Sequence, residues 1–161
     1  MFVQRRARAL LFLIGIVLII QPCVFAQSYF RNWPAGTSPK EIGKRVAENF
    51  VARKLEVEQG KRQYVIYPEV CAWYGSLTVA QLTNDRDLKT RLIQKFDPLL
   101  TAGGAKNISP EPHVDYRVFG VVPLEIYMQT SESKYLDVGK SLADKQWNKP
   151  TPDGITGEAR Y

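Results

Sequence analysis

Histidine and cysteine are nearly absent from the 161 residues: His113 stands alone, and Cys23 and Cys71 are the only cysteines. One histidine with two cysteines cannot assemble a zinc-type ligand cluster, and no metal is expected. Once Cys23 leaves with the leader described below, Cys71 has no partner, which excludes an internal disulfide even in an oxidising compartment. Beside Ala72 and Trp73 in an apolar stretch, Cys71 is expected in the core; a catalytic thiol would want a partner base, and only His113 is on offer. A dense Lys/Arg stripe is also missing, which removes the phosphate footprint of a nucleic-acid surface. The apolar run ALLFLIGIVLII has twelve residues, short of the roughly 20 that a membrane span needs.

What is present begins with export. Arg5, Arg6 and Arg8 precede that run with no acid among them, and QPCVFAQ places Val24 and Ala26 at the small-residue spacing of a cleavage site. Residues 1–26 therefore read as a secretory signal peptide cut after Ala26, giving a secreted or periplasmic protein with no membrane attachment afterwards. An uncleaved anchor is the other reading. A lipoprotein reading of Cys23 is weaker, because Gln21 and Pro22 stand where a lipobox has small residues. Cleavage removes three arginines and no acid, so the net charge falls from +6 to +3 and the mature surface is nearly balanced. Residues 27–37 read as a linker, and 38–161 as one domain or part of a larger one.

The rest carries helical periodicity throughout. TSPKEIGKRVAENFVARKLEVE opens on Ser38, sets Pro39 at the first helical position and puts Glu41 where a capping box wants an acid. Ile42, Val46 and Phe50 recur every fourth residue and predict one apolar stripe. After a connection at Gly60–Gln63, YPEVCAWYGSLTVAQL is apolar nearly all round and is expected to be buried. NDRDLKTRLIQKFDPLL repeats the spacing with Leu88, Leu92 and Phe96. Beyond the glycine-rich TAGGAKNISPEPH, DYRVFGVVPLEIYMQ has the Val and Phe of a strand but the length of a helix, and the helix is favoured. SESKYLDVGKSLADKQW is amphipathic and closes the regular structure near Trp147.

Side by side, YGSLTVAQLTNDRDLKTRL and FGVVPLEIYMQTSESKYLDVGKSL share an aromatic–glycine pair, an apolar helix, a threonine turn with acids and a leucine-led amphipathic helix. Gly75 and Gly120 lie 45 positions apart. Alternating apolar and amphipathic helices at such a period indicate stacked helical hairpins. The fold class is all-α. A closed ring puts the apolar helices inside, as in the (α/α)6 toroid, of which this chain supplies about two to three hairpins. A superhelical array of the tetratricopeptide kind is the alternative, though its period of about 34 residues is shorter.

The polar residues His113, Asp115, Tyr116 and Arg117 gather in PEPHVDYRVFG, at the start of an otherwise apolar helix. Asp115 there has two readings, a helix cap or a carboxyl group for proton transfer. Trp73 and Tyr74 in CAWYGS likewise serve either the core or a platform on which a sugar ring stacks. In a toroid the starts of the inner helices share one mouth, which would bring the two groups together.

The order of WYG, DYR-x-x-G and DGITGEARY, with the long segment between them, resembles the unsaturated glycuronyl hydrolases. These form glycoside hydrolase families 88 and 105, and the likeness is to family 105, the unsaturated rhamnogalacturonyl hydrolase type, over residues 38–161. The resemblance implies an (α/α)6 barrel that releases the 4,5-unsaturated uronic acid left by a polysaccharide lyase at a non-reducing end. In that chemistry an aspartic acid protonates the enol-ether double bond, water adds at the neighbouring carbon, and the hemiketal opens. No cofactor, metal or nucleic acid is implied, and the implied partner is an unsaturated oligosaccharide. Carried over by position, Asp115 is the implied catalytic acid, Trp73 and Tyr74 border the unsaturated sugar, and His113 and Arg117 are implied neighbours of the substrate. In the family EARY leads to a tryptophan and paired aspartates holding the principal acid/base. The chain is therefore expected to be the N-terminal part of such a hydrolase, inactive alone. An exported, non-catalytic helical-repeat module binding carbohydrate or protein is the competing expectation.

Overall fold

The computed structural model describes residues 32–111, 113–145 and 152. The leader, its cleavage site, Trp147 and, apart from Pro152, PTPDGITGEARY lie outside the described residues. Ahead of the helices, Pro34–Thr37 forms a turn in which Thr37 N and Oγ1 both donate to the Pro34 carbonyl, at 3.0 and 2.8 Å. A compact unit then starts at Pro39.

Among the described residues of that unit all regular structure is helical: α1 (Pro39–Ala52), α2 (Tyr67–Leu82), α3 (Arg86–Phe96), the short α4 (Val114–Arg117), α5 (Val121–Thr130) and α6 (Ser133–Lys145). Short 3-10 turns cover Asp97–Leu100, Ala105–Asn107 and Val118–Gly120. The apolar segment that could have been a strand is thus helical, in three pieces. Pro123 supplies a reason for the break, because it has no N–H to return to the preceding turn. None of the described helices is long and apolar enough to cross a membrane.

The hairpin repeat is real and is sharpest at its turns. Thr83 and Thr130 each close their helix by donating Oγ1 to the carbonyl four residues back, to Val79 at 2.7 Å and to Ile126 at 2.9 Å. The next residue takes the left-handed conformation in both, Asn84 at φ 53° and Ser131 at φ 62°. These turns lie 47 positions apart, as do Leu88 and Tyr135, both fully buried. Gly75 and Gly120, 45 apart, are not equivalent. A Cβ on Gly75 would meet nothing, whereas one on Gly120 would sit 3.2 Å from Leu142, where α6 presses close.

The core is an aromatic chain. Phe96 at the end of α3 is its centre, with Trp73 edge-on at 5.4 Å, Phe119 stacked at 5.6 Å and Tyr135 tilted at 6.0 Å. Phe50 joins through Trp73 at 5.4 Å. The buried polar atoms of these rings are satisfied: Trp73 Nε1 donates to the Leu92 carbonyl at 3.1 Å and Tyr135 Oη to Asp97 at 2.7 Å. Leu88, Leu92 and Phe96 form the buried stripe that their spacing predicts. Arg91 fastens α3 to α1 with a two-pronged bond to Glu48, both at 2.7 Å.

Three expectations change. On α1, Phe50 is buried but Ile42 and Val46 are 43% and 62% exposed. The helix packs through Gly43 and Ala47 instead, with Gly43 against Val79; small residues let the backbones approach and turn the larger ones outward. On α2, apolar composition all round does not mean burial all round. Val70, Trp73, Leu77 and Ala80 face the core, while Tyr67, Cys71, Tyr74 and Leu82 form an exposed stripe at helical spacing. Cys71 is consequently a surface thiol rather than a core residue. The first helix also ends earlier than its sequence suggests, at Ala52. The longer 53–66 connection is held by Leu55 N donating to Glu58 at 2.6 Å and Glu56 N to Glu69 at 2.8 Å.

Candidate functional site

The loops that lead into α2 and α4 meet at one end of the hairpins. Val65 N donates to the Asn107 carbonyl at 2.9 Å, and the Tyr64 and Tyr116 rings meet edge to face at 5.5 Å. His113 lies 5.5 Å from the same Tyr116 ring. The segments that lead into α2 and α4 therefore lie against each other, with Tyr116 between Tyr64 and His113.

At this junction the roles of His113 and Asp115 exchange. The cap of α4 is His113, whose Nδ1 accepts from the Asp115 amide at 3.2 Å. Asp115 is not the cap; it stands half-buried in the first turn, where a carboxylate is favoured by the backbone dipoles. Accepting at Nδ1 leaves the proton of a neutral His113 on Nε2. Arg117 is buried and donates from Nη2 to the Pro110 carbonyl at 3.0 Å, which clamps the loop ahead of α4. Its guanidinium is thus engaged by the protein's own backbone rather than displayed at the surface.

The aromatic pair divides. Trp73 has no exposed surface and its ring is spent on Phe50 and Phe96, so it is a core residue rather than a platform. Tyr74 is 43% exposed, on the surface of α2 rather than in its core. It stands seven residues into α2, roughly 10 Å along the axis from the helix start.

Two groups at this end were not singled out from the sequence. Tyr64 supplies the ring against Tyr116, and Glu69 is a buried carboxylate in the first turn of α2. Glu69 Oε1 accepts from Glu56 N while Oε2 is buried with no hydrogen bond, and burial pushes its carboxyl above the usual range. Lys95, whose Nζ donates to the Arg53 carbonyl at 2.5 Å, is pushed down by burial. The signal for Glu69 was visible: a lone acid in YPEVCAW, on a helix with one face in the core. Its burial depended on how the 53–66 connection folds over it.

Beside the cluster, the 105–110 loop and α6 enclose a depression of about 430 Å³ lined by Ile108, Ser109, Pro110, Val138 and Leu142. That volume lies in the range of small-molecule sites. Pro110 belongs both to its wall and to the Arg117 clamp. No group of three or more His, Cys, Asp or Glu among the described residues is placed to hold a metal ion.

Comparison with family models, curated proteins and solved structures returned no match to this chain.

Proposed function

We propose that this chain carries part of the substrate site of a glycoside hydrolase acting on the 4,5-unsaturated uronic acid at the non-reducing end of lyase-generated oligosaccharides, with Asp115 as a carboxyl group in reach of the sugar. The observation that carries the reading is the junction of the two lead-in loops. It brings the Tyr64 and Tyr116 rings together, and the half-buried carboxylate Asp115 is the chain neighbour of Tyr116. Aromatic faces stack on sugar rings, and a carboxyl group beside them can transfer a proton to an enol ether. The His113 bond to the Asp115 amide holds that backbone in place, so His113 acts by positioning. Arg117 does likewise through Pro110.

The reading is tested by turnover of an unsaturated uronosyl disaccharide by the longest product of the gene, followed as loss of the enol-ether ultraviolet absorbance. Removing a general acid–base group costs about 10²–10⁴-fold in rate. Asp115→Asn should show such a loss with an almost unchanged melting temperature. Turnover equal to wild type removes Asp115 from the chemistry, and the absence of both turnover and binding of the disaccharide sinks the whole reading.

A second reading, a non-catalytic helical module, is favoured by one observation: the exposed α2 stripe of Tyr67, Cys71, Tyr74 and Leu82 is the kind of surface that binds rather than reacts. Saturable disaccharide binding, lost in Tyr74→Ala and without any absorbance change, would select it.

A further inference from the structure

The turn between α2 and α3 carries charges that the fold itself does not ask for. Arg86 and Lys89 occupy the first and fourth positions of α3, one turn apart on one face. Cations at the start of a helix oppose its dipole, so both cost stability where they stand. No acid among the described residues pairs with either. The two neighbouring carboxylates are already committed: Asp87 accepts from Arg91 Nε at 2.8 Å, while Lys44 Nζ is 2.6 Å from Asp85 and Leu88 N donates to Asp85 at 3.0 Å. These partners hold the Asp85 carboxyl below the usual range, Lys44 first. The repeat supplies an internal control. At the equivalent turn, 47 residues on, Ser133 and Leu136 stand where Arg86 and Lys89 stand here, and that hairpin folds without them.

Both cations line a depression of about 240 Å³, together with Gln81, Asn84, Asp85, Gln129 and the exposed Met128; the Asp85 carboxylate in this wall is ion-paired to Lys44. Gln129 gives Nε2 to Glu125 Oε1 at 2.7 Å and to the Leu77 carbonyl at 3.3 Å, which fixes its amide in the wall. The volume is below the roughly 300 Å³ at which drug-sized sites begin, so the ligand is small. We propose that this depression is a binding site for a small oxyanion, the group shared by sulfate, phosphate and a sugar carboxylate, with Arg86 and Lys89 supplying the charge and Asn84 and Gln81 the hydrogen bonds. The site is formed at the far end of α2 from the Tyr64–Tyr116 cluster and does not rest on the hydrolase reading.

The test is titration of the full chain with sodium sulfate, sodium glucuronate and neutral glucose at constant ionic strength, followed by amide chemical shifts. Saturable shifts confined to Asn84, Arg86, Lys89 and Gln129 are expected. Saturation by both anions assigns the site to the oxyanion alone, by glucuronate only to a sugar acid, and by sulfate only to a tetrahedral ion. Arg86→Ala with Lys89→Ala should weaken binding at least tenfold without lowering the melting temperature, because the helix dipole is relieved. Lys40→Ala with Lys61→Ala, which removes the same charge elsewhere, should leave binding unchanged. The proposal is overturned if no anion gives localised saturable shifts, or if the Arg86/Lys89 variant titrates like wild type.

Discussion

At the scale of single residues, burial decides what a side chain does. Trp73, Phe96 and Tyr135 are without exposed surface, and Phe96 touches three other rings. Truncating such a centre removes its transfer energy and leaves a cavity, so Phe96→Ala should cost about 3–5 kcal/mol in denaturant unfolding. A loss under about 1 kcal/mol would mean the ring cluster is loosely packed. His113→Ala should remove the cap of α4 and cost about 1 kcal/mol, and His113→Asn should recover most of it. Glu69 sets a pH dependence. Its folded-state carboxyl is raised above the unfolded value by burial, so the folded chain takes up a proton first as the pH falls. Stability from this group is therefore full below the unfolded value and declines as the pH rises through the folded one. Glu69→Gln keeps an oxygen for the Glu56 amide and removes the buried charge. Relative to wild type its melting temperature should be higher at neutral pH, and the gap should close in acid. A gap that does not change with pH would count against a costly buried carboxylate.

At the scale of elements, two glycines that look alike in the chain do opposite things. Gly75 lies on the exposed side of α2 with open space at its Cβ direction, so Gly75→Ala should stabilise by up to about 1 kcal/mol through helix propensity alone. Gly139 lies where α6 meets α5, and an added Cβ would come 2.5 Å from Leu124 Cγ. The clash in that contact is of the overpacking kind, about 1–3 kcal/mol, and outweighs the same propensity gain. Chemical denaturation of both variants should give shifts of opposite sign. Two shifts of the same sign would refute the close α5–α6 contact. The threonine turns after α2 and α5 show how the repeat is written locally: a hydroxyl closes the helix, and a left-handed Asn84 or Ser131 reverses the chain.

For the Pro39-onward unit as a whole, the notable property is how much apolar side chain it leaves in water. Leu82 is 80% exposed and Met128 68%, with Tyr67, Tyr74, Val114 and Val121 also open on α2, α4 and α5. Surface of this kind drives association. Leu82→Lys with Met128→Lys should leave the fold intact and reduce concentration-dependent light scattering of the chain, and scattering unchanged from wild type would show that these two side chains do not drive it.

Among the described residues, the all-α class, most helix positions and the hairpin repeat were legible because they follow from local spacing. Pro39 at a helix start, Leu88–Leu92–Phe96 as a buried stripe and the paired threonine turns all express rules that act within a few residues. The same reasoning reached the His113–Arg117 cluster, since polar residues at the head of an apolar helix stand out in the chain itself. What it could not reach was which face of an apolar helix meets a neighbour. Cys71, Ile42 and Val46 turned outward and Glu69 inward because Gly43 brought α1 close to α2, and because the 53–66 connection closed over the α2 start. The exchange of cap between Asp115 and His113 is of the same origin: both side chains suit the position, and the extended backbone at His113, where the helix begins, chose between them. Local periodicity determines where helices form; only the packing of one against another decides which of their side chains remain for a ligand.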